Sequence, residues 1–298
     1  MKRLFHITTL LAALLLLNGC GRPADDLKVV SFNIRLSLRA DQDGENCWNN
    51  RRDAAVRMVQ QERPAAMGLQ EALPVQLHYL DSCLPQYRRV GVGRDDGREQ
   101  GEFMAIYYDT TRLELMDGKT LWLSETPDTP SYGWDAACRR TATLATFRDK
   151  QSGQCFCYIN THLDHVGRTA RAESTKLIAS LVEGQSSNMP VIVGGDMNSA
   201  LDDTIFSSLY AVGLQDARTL TDSTSHAITF NNFGQGKGSV IDHFFVRDIK
   251  VLRFRTLDGN YFSEELSTVE INNNDVRNGA AFISDHYPIE ILLDLGNK

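Results

Sequence analysis

The sequence predicts a layered α/β fold built on one mixed β-sheet or on two sheets, rather than on a doubly wound parallel sheet. Three observations predict it. Apolar strand-like runs are interleaved with amphipathic helical segments; the middle of the chain is a succession of strand-like segments; and no linker, low-complexity run or internal repeat divides residues 27–298 of the 298-residue chain. One domain over 27–298 is therefore expected.

Leu27 to Ile34 reads as the first strand, with Val29, Val30, Phe32 and Ile34 apolar. Arg51 to Glu62 reads as a helix with Ala54, Ala55, Met58 and Val59 on one face, stopped by Pro64. Ala66 to Leu69 is a short buried strand that delivers Gln70 and Glu71 at its end, and Pro74 to Ser82 reads as a second helix. Strands then follow at Tyr87 to Val92, Phe103 to Tyr108, Lys119 to Leu123, Thr141 to Arg148 and Cys155 to Asn160, separated by turn signals such as Asp117-Gly118 and Gln151-Ser152-Gly153. Thr169 to Val182 is the clearest helix, because Ala170, Leu177, Ile178, Leu181 and Val182 recur at helical spacing. Pro190 to Val193, Val240 to Val246, Val251 to Thr256 and Ile289 to Leu295 complete the strands.

Residues 1–20 stand apart from this pattern. Lys2 and Arg3 precede the apolar Leu10 to Leu17, and Leu17-Asn18-Gly19-Cys20 resembles the lipobox of bacterial lipoproteins. A lipoprotein-type signal peptide is expected, with Cys20 as the lipid-bearing N-terminus and residues 21–26 as a tether. The protein would then sit outside the cytoplasm, membrane-anchored through Cys20; an ordinary secretory signal would also export it.

Formal net charge is −7 and Lys and Arg are scattered, which argues against a nucleic-acid coat protein but leaves nucleic acid open as a substrate. Without Cys20 the cysteines are Cys47, Cys83, Cys138, Cys155 and Cys157, an odd set expected to be buried or disulfide-bonded. A monomer is expected.

Polar groups gather at the ends of the expected strands: Asn33, Glu71, Asn160 with His162, Asp196 with Asn198, Asp242 with His243, and Asp285 with His286. So many carboxylates, amides and imidazoles after strongly apolar runs mark a site. Carboxylate and amide oxygens dominate, with no cysteine cluster and no His-x-x-x-His pair, so the expected ion is Mg²⁺ or Mn²⁺ rather than Zn²⁺. Glu71 is the foremost ligand, with Asp285 and Asn33 beside it.

Ser31-Phe32-Asn33-Ile34-Arg35, Gln70-Glu71, Asn160-Thr161-His162-Leu163-Asp164-His165, Gly195-Asp196-Met197-Asn198, Ile241-Asp242-His243 and Ser284-Asp285-His286-Tyr287-Pro288 occur in this order. Together they resemble the endonuclease/exonuclease/phosphatase superfamily, which includes DNase I. The resemblance implies a four-layer sandwich, two packed mixed β-sheets flanked by helices. It implies that Asn33 and Glu71 bind the metal and that Asp285 assists directly or through water. Asp196 would orient or deprotonate the attacking water, Asn198 would hold a nonbridging phosphate oxygen, and His286 would contact the phosphate with Asp242 fixing its tautomer. His162 matches a position that is histidine in the DNase I, deadenylase and sphingomyelinase branches, and Glu102 matches the carboxylate partner of that histidine in the DNase I branch.

Asn160, Arg51, Arg140 and Arg171 are assigned to substrate binding; Arg51 has a second reading within a helix start capped by Asn50, and Arg140 and Arg171 carry the same alternative of a structural role. His165 and His243 are left out of the site, and Asp164 is read as capping a turn. Trp48, Trp122, Tyr132 and Trp134 form either an aromatic wall over the substrate or part of the core. The expected activity is metal-dependent hydrolysis of a phosphate ester by in-line attack of water positioned by Asp196. Its substrate would be a small or lipid-derived phosphodiester or monoester. A nonspecific extracytoplasmic nuclease is the alternative, and a catalytically silent binding lipoprotein is the alternative from another class. The second predicts gaps in the constellation, and none is visible.

Overall fold

The computed structural model describes residues 26–38, 40–222, 224, 227–262 and 282–296. The expected signal peptide, Cys20 and all of the tether except Asp26 lie outside the described residues. In chain order the strands are β1 (Leu27–Asn33), β2 (Ala66–Gln70), β3 (Tyr87–Val90), β4 (Ile106–Asp109), β5 (Leu113–Trp122), β6 (Thr141–Asp149), β7 (Cys155–His162), β8 (Val191–Asp196), β9 (Gln215–Asp216), β10 (Asp242–Arg247), β11 (Lys250–Thr256) and β12 (Ile289–Asp294). The α-helices are α1 (Ala40–Asp43), α2 (Trp48–Glu62), α3 (Pro74–Cys83), α4 (Arg168–Glu183) and α5 (Ser207–Ala211).

The strands form two mixed six-stranded sheets, in the orders β11-β12-β1-β2-β4-β3 and β5-β6-β7-β8-β10-β9. Side-chain alternation along the central strands sorts the core into three apolar clusters, and these set four layers. Leu27 and Val29 of β1 point inward with Phe156 and Tyr158 of β7, Ile192 and Phe244, filling the space between the sheets. Val30 and Phe32, at the alternate positions, pack under Met58 and Val59 of α2 and Leu77 and Leu80 of α3. On the far side Cys157 and Ile159 pack with Ile178 and Val182 of α4 and Leu209 of α5. The layers are thus helices, sheet, sheet, helices, as expected. Gly68 lets the sheets approach: a Cβ there would lie 2.4 Å from the Tyr158 hydroxyl and 2.6 Å from Asn160 Oδ1.

Some boundaries differ from the sequence reading for identifiable reasons. β5 starts at Leu113 rather than Lys119, because it is an edge strand whose middle, Met116 to Lys119, is exposed and which bulges between Leu115 and Asp117; Gly118 lies within it rather than in a turn. α2 starts at Trp48, and Asn50 bonds the Glu45 carbonyl instead of capping the helix. Trp48 is buried edge-on against Tyr79 and Trp122 is also buried, so both belong to the core, whereas Tyr132 is exposed. The five described cysteines are free thiols, with Cys157 buried beneath α4.

Candidate active site

Strand register brings the polar strand ends to one edge of the sandwich. His162 is opposite Asp196 in the parallel β7–β8 pair, and Asp196 is opposite Asp242 in the antiparallel β8–β10 pair. Asn33 is opposite Gln70 in the β1–β2 pair, so Glu71 follows beside it. Ser284, Asp285 and His286 precede β12, which runs antiparallel to β1, so they return to the same edge. Gly195 permits this row, since a Cβ there would lie 1.9 Å from the Thr161 carbonyl oxygen. Arg35, Glu71 and Asn198 leave their strands in the left-handed region, with φ of 57°, 61° and 48°. Of these three residue types asparagine accepts that conformation most readily, so the first two are held by their surroundings.

Arg35, Glu71, His162, Asp196, Asn198, Asp285 and His286 line a cleft of about 860 Å³, with Asn33 and Asp242 buried behind them. At its floor His286 Nδ1 lies 2.9 Å from Asp242 Oδ2, while its Nε2 lies 3.6 Å from Asp196 Oδ2 and 3.5 Å from Asn33 Nδ2. Asp196 Oδ2 accepts from Asn33 Nδ2 at 2.9 Å and its Oδ1 accepts from the Asn198 backbone N–H at 2.9 Å. Burial pulls the His286 pKa down, but the Asp242 and Asp196 carboxylates outweigh it and raise it to about 10. Burial and the neighbouring Asp242 push Asp196 up to about 7, against the opposing charge of His286. Both oxygens of Asp196 accept N–H bonds, so the proton belongs on the imidazole: His286 is an imidazolium between two carboxylates.

His162 is held differently. Its Nε2 lies 3.0 Å from Asn198 Nδ2 and 3.5 Å from Asp196 Oδ2, while its buried Nδ1 has no hydrogen-bond partner. Burial and the Arg140 and Arg94 charges depress its pKa, leaving it neutral.

On the other side of Asn33, Glu71 Oε1 accepts from Asn33 Nδ2 at 3.0 Å and Oε2 accepts from the Leu36 backbone N–H at 3.0 Å. Asp285 Oδ2 lies 3.6 Å from Arg35, and its pKa is raised by burial and by the Glu71 charge against the opposing His286. The Glu71 and Asp285 carboxylates form a hard donor pair suited to a divalent cation. Asn33, assigned to the metal from the sequence, instead turns its Nδ2 toward Glu71 and Asp196, and its Oδ1 accepts from the Arg35 backbone N–H at 3.0 Å, so here it orients the carboxylates. Asp196, Asp242 and His286 also bring ligand atoms within 4.8 Å of one another, as do Cys138, Asp164 and His165. In the first group the imidazolium already bridges the carboxylates; in the second, Arg140 contacts both Asp164, at 3.4 Å, and His165, at 3.0 Å.

Four sequence assignments change. Arg51 is 0% exposed and donates to the carbonyls of Ile34, Arg35, Asn46 and Ile283, so it cannot reach a substrate. Burial lowers its pKa to about 10, against Asp285 and Asp43. Asn160 is also 0% exposed: it accepts from Gln70 Nε2 and donates to the carbonyls of Leu69 and Ala105, joining the two sheets. Arg171 donates to the Asp164 carbonyl and is not among the cleft-lining residues. Glu102 lines the cleft but is paired with Arg94 at 2.7 Å rather than with His162. Arg140 does line the cleft. His243 is buried against Phe206 and Phe245 and bonds the Ser199 carbonyl, a packing role consistent with its omission. Asp164 accepts from the Val166 and Gly167 backbone N–H groups and so closes a turn, as read.

The sequence reading missed Arg35, Arg94 and His165 as lining residues, and Phe230, whose ring lies 5.0 Å from that of His286. Arg35 and His165 sit inside quoted motifs, which was a usable signal. Arg94 and Phe230 lie in irregular segments and carried none.

The chain belongs to the endonuclease/exonuclease/phosphatase family, whose sequence model matches residues 30–286. It is a phosphoric ester hydrolase of that family. Among solved structures it is similar to a mannosyl-6-phosphatase of Bacteroides thetaiotaomicron VPI-5482, with 34% identity, a TM-score of 0.81 and coverage of 90% of this chain and 99% of that one. It is also similar to an endonuclease/exonuclease/phosphatase from Bacteroides vulgatus, with 32% identity, a TM-score of 0.80 and coverage of 91% and 99%. Among curated proteins, an uncharacterized protein, L388, of Acanthamoeba polyphaga mimivirus is 26% identical over 240 residues, 75% of this chain and 88% of that protein.

Proposed function

We propose that this protein is a divalent-metal-dependent phosphatase that hydrolyses the phosphate monoester of a sugar, outside the cytoplasm. The observation that carries the reading is the Asp242–His286–Asp196 chain facing His162 and Asn198 in one cleft. The similarity to a mannosyl-6-phosphatase favours a sugar phosphate over a nucleic acid or a phospholipid head group.

Glu71 and Asp285 would hold the cation, with Asn33 orienting Glu71; the cation would supply Lewis-acid neutralisation of the phosphoryl oxygens. Asp196 holds the attacking water in line, its carboxylate fixed by Asn33 and Asn198. His286 donates from Nε2 to a nonbridging phosphoryl oxygen and offsets the charge spread over the group in transfer, while Asp242 keeps the second ring N–H satisfied. The electron pair of the breaking P–O bond leaves with the sugar oxygen, which departs as the alcohol after taking up a proton. His162 and Asn198 line the remaining side of the phosphoryl position.

The test is phosphate release from hexose 6-phosphates and from an aryl phosphate with Mg²⁺, with Mn²⁺ and after chelation, by wild type and Asp196→Ala. Absence of chelator-sensitive, Asp196-dependent release from every ester would sink the reading. Export rests on Leu17-Asn18-Gly19-Cys20. Cys20→Ala should move the protein out of the membrane fraction; unchanged fractionation would remove the anchor from the proposal.

A further inference from the structure

We propose that the arginine-bearing wall of the cleft, made by the Arg94–Glu102 pair with Arg140 and His165, is the subsite that binds the sugar ring. The proposal rests on the phosphatase reading and extends it from the phosphate to the group that carries it.

Topology places this wall. The phosphate-handling residues come from β12, β1 and β2 of one sheet and from β7, β8 and β10 of the other. Arg94 and Glu102 belong to the segment between β3 and β4, at the next positions in the first sheet, and Arg140 directly precedes β6, the next strand in the second. β2 packs over β7, so both segments lie to the same side of His162. The cleft therefore continues beyond the reacting groups toward Arg94, Glu102, Arg140 and His165, all of which line it. The wall is tied down, with Trp122 Nε1 donating to the Arg94 carbonyl at 2.8 Å and Arg139 pairing with Asp95 at 3.3 Å.

Its charge selects a neutral, hydroxyl-rich ligand. Arg94 is held by both oxygens of Glu102, with contacts of 2.7 Å, and Arg140 pairs with Asp164 at 3.4 Å. Each guanidinium thus has its own carboxylate, so the wall presents charge-paired donors and acceptors rather than a bare cationic pocket. What remains is a fixed set of donors and acceptors. Each Glu102 oxygen keeps a lone pair after accepting from Arg94, and the bidentate contact engages only part of the Arg94 donor fork. Arg140 only donates, so His165 Nδ1 accepts at 3.0 Å, which places a ring N–H at Nε2 of this exposed residue. Paired carboxylates and guanidiniums with an imidazole N–H match hydroxyls that each donate and accept.

The test compares kcat/KM for a hexose 6-phosphate with kcat/KM for an aryl phosphate, in wild type, Arg94→Met and His165→Ala. His165 is exposed, so its variant keeps the fold while removing one donor. The expected result is a sugar-to-aryl ratio lowered by about 10-fold or more, expressed mainly in KM, because a site built to bond hydroxyls discriminates through them. A ratio within about twofold of wild type in both variants overturns the subsite, whether or not both rates fall together. A wild type that cleaves the aryl ester with no preference for the sugar ester, or prefers a hexose bisphosphate, overturns the subsite and leaves the phosphatase reading standing. A wild type inert on every ester overturns both.

Discussion

The side-chain nitrogen of Asn198 lies 3.0 Å from His162 Nε2 and 3.0 Å from the Leu163 carbonyl oxygen. A carbonyl only accepts, so this contact orients the amide and makes the other N–H a donor to His162. His162 is thereby fixed as the neutral tautomer protonated at Nδ1, in agreement with the downward pKa shift caused by burial and two arginines. Asn198→Asp should reverse the contact, because a carboxylate accepts and aspartate tolerates the left-handed backbone at this position. The His162 pKa should rise and kcat should fall by on the order of 10²-fold. Imidazole nitrogen shifts in the NMR spectrum read the tautomer directly; an unaltered spectrum in the variant would refute the assignment.

The Asp242–His286–Asp196 chain predicts a loss of stability in alkali. His286 has a folded-state pKa of about 10, above its ordinary 6.5. A group raised on folding contributes stability that is complete below the unfolded pKa and disappears as pH rises through the folded one. Metal-free wild type should therefore lose melting temperature between pH 7 and pH 10, and His286→Gln should lose less over that interval. Parallel pH curves for the two proteins would show that the imidazolium does not stabilise the fold.

Glu71 and Asp285 predict a response to cations that needs no turnover. Burial and the Glu71 charge raise Asp285, so the pair carries a repulsion that a dication relieves. Saturating Mg²⁺ or Mn²⁺ should raise the melting temperature, with about 2.7 kcal/mol of added stability at a hundredfold excess over Kd. Glu71→Gln should abolish most of the response, and an equal response in the variant would place the cation elsewhere.

Much of this was legible in the sequence for a local reason. Val29 to Phe32 and Val191 to Val193 are buried on both faces, so each reads as an apolar run, and the first polar residue after it marks the cleft. Asn33, Glu71, His162 and Asp196 are visible this way because they sit at or just past the ends of strands, whereas His286 lies just before β12 and is visible only through its Ser284-Asp285-His286 motif. Contacts across elements are not encoded locally. Asn160 follows the same apolar-run pattern, yet Gly68 draws the other sheet so close that the amide is consumed between the layers. Glu102 has the right chemistry for a histidine partner, but Arg94, eight residues earlier, captures it. β5 escaped full recognition because its exposed middle, with a bulge between Leu115 and Asp117, breaks the apolar alternation that Leu113 and Leu115 begin.

Arg51 shows the strongest divergence between sequence and structure, and it yields the clearest stability prediction. From the end of α2 nearest the cleft its guanidinium ties Ile34 and Arg35, which follow the Asn33 strand, to Ile283, which precedes Asp285, and to Asn46. One buried cation thus sets the spacing between two segments that carry expected metal ligands. Its ring contacts with Trp48, at 5.6 Å, and Phe233, at 5.7 Å, fill the space around it. Arg51→Met retains length and apolar bulk but leaves these carbonyls without their donor, at a cost of about 2–4 kcal/mol. Urea unfolding should show a lower midpoint at an unchanged slope. Arg51→Lys should recover only part of the loss, since one ammonium cannot reproduce the planar fork. Full recovery with lysine would mean that charge alone, rather than the carbonyl geometry, holds the two segments in place.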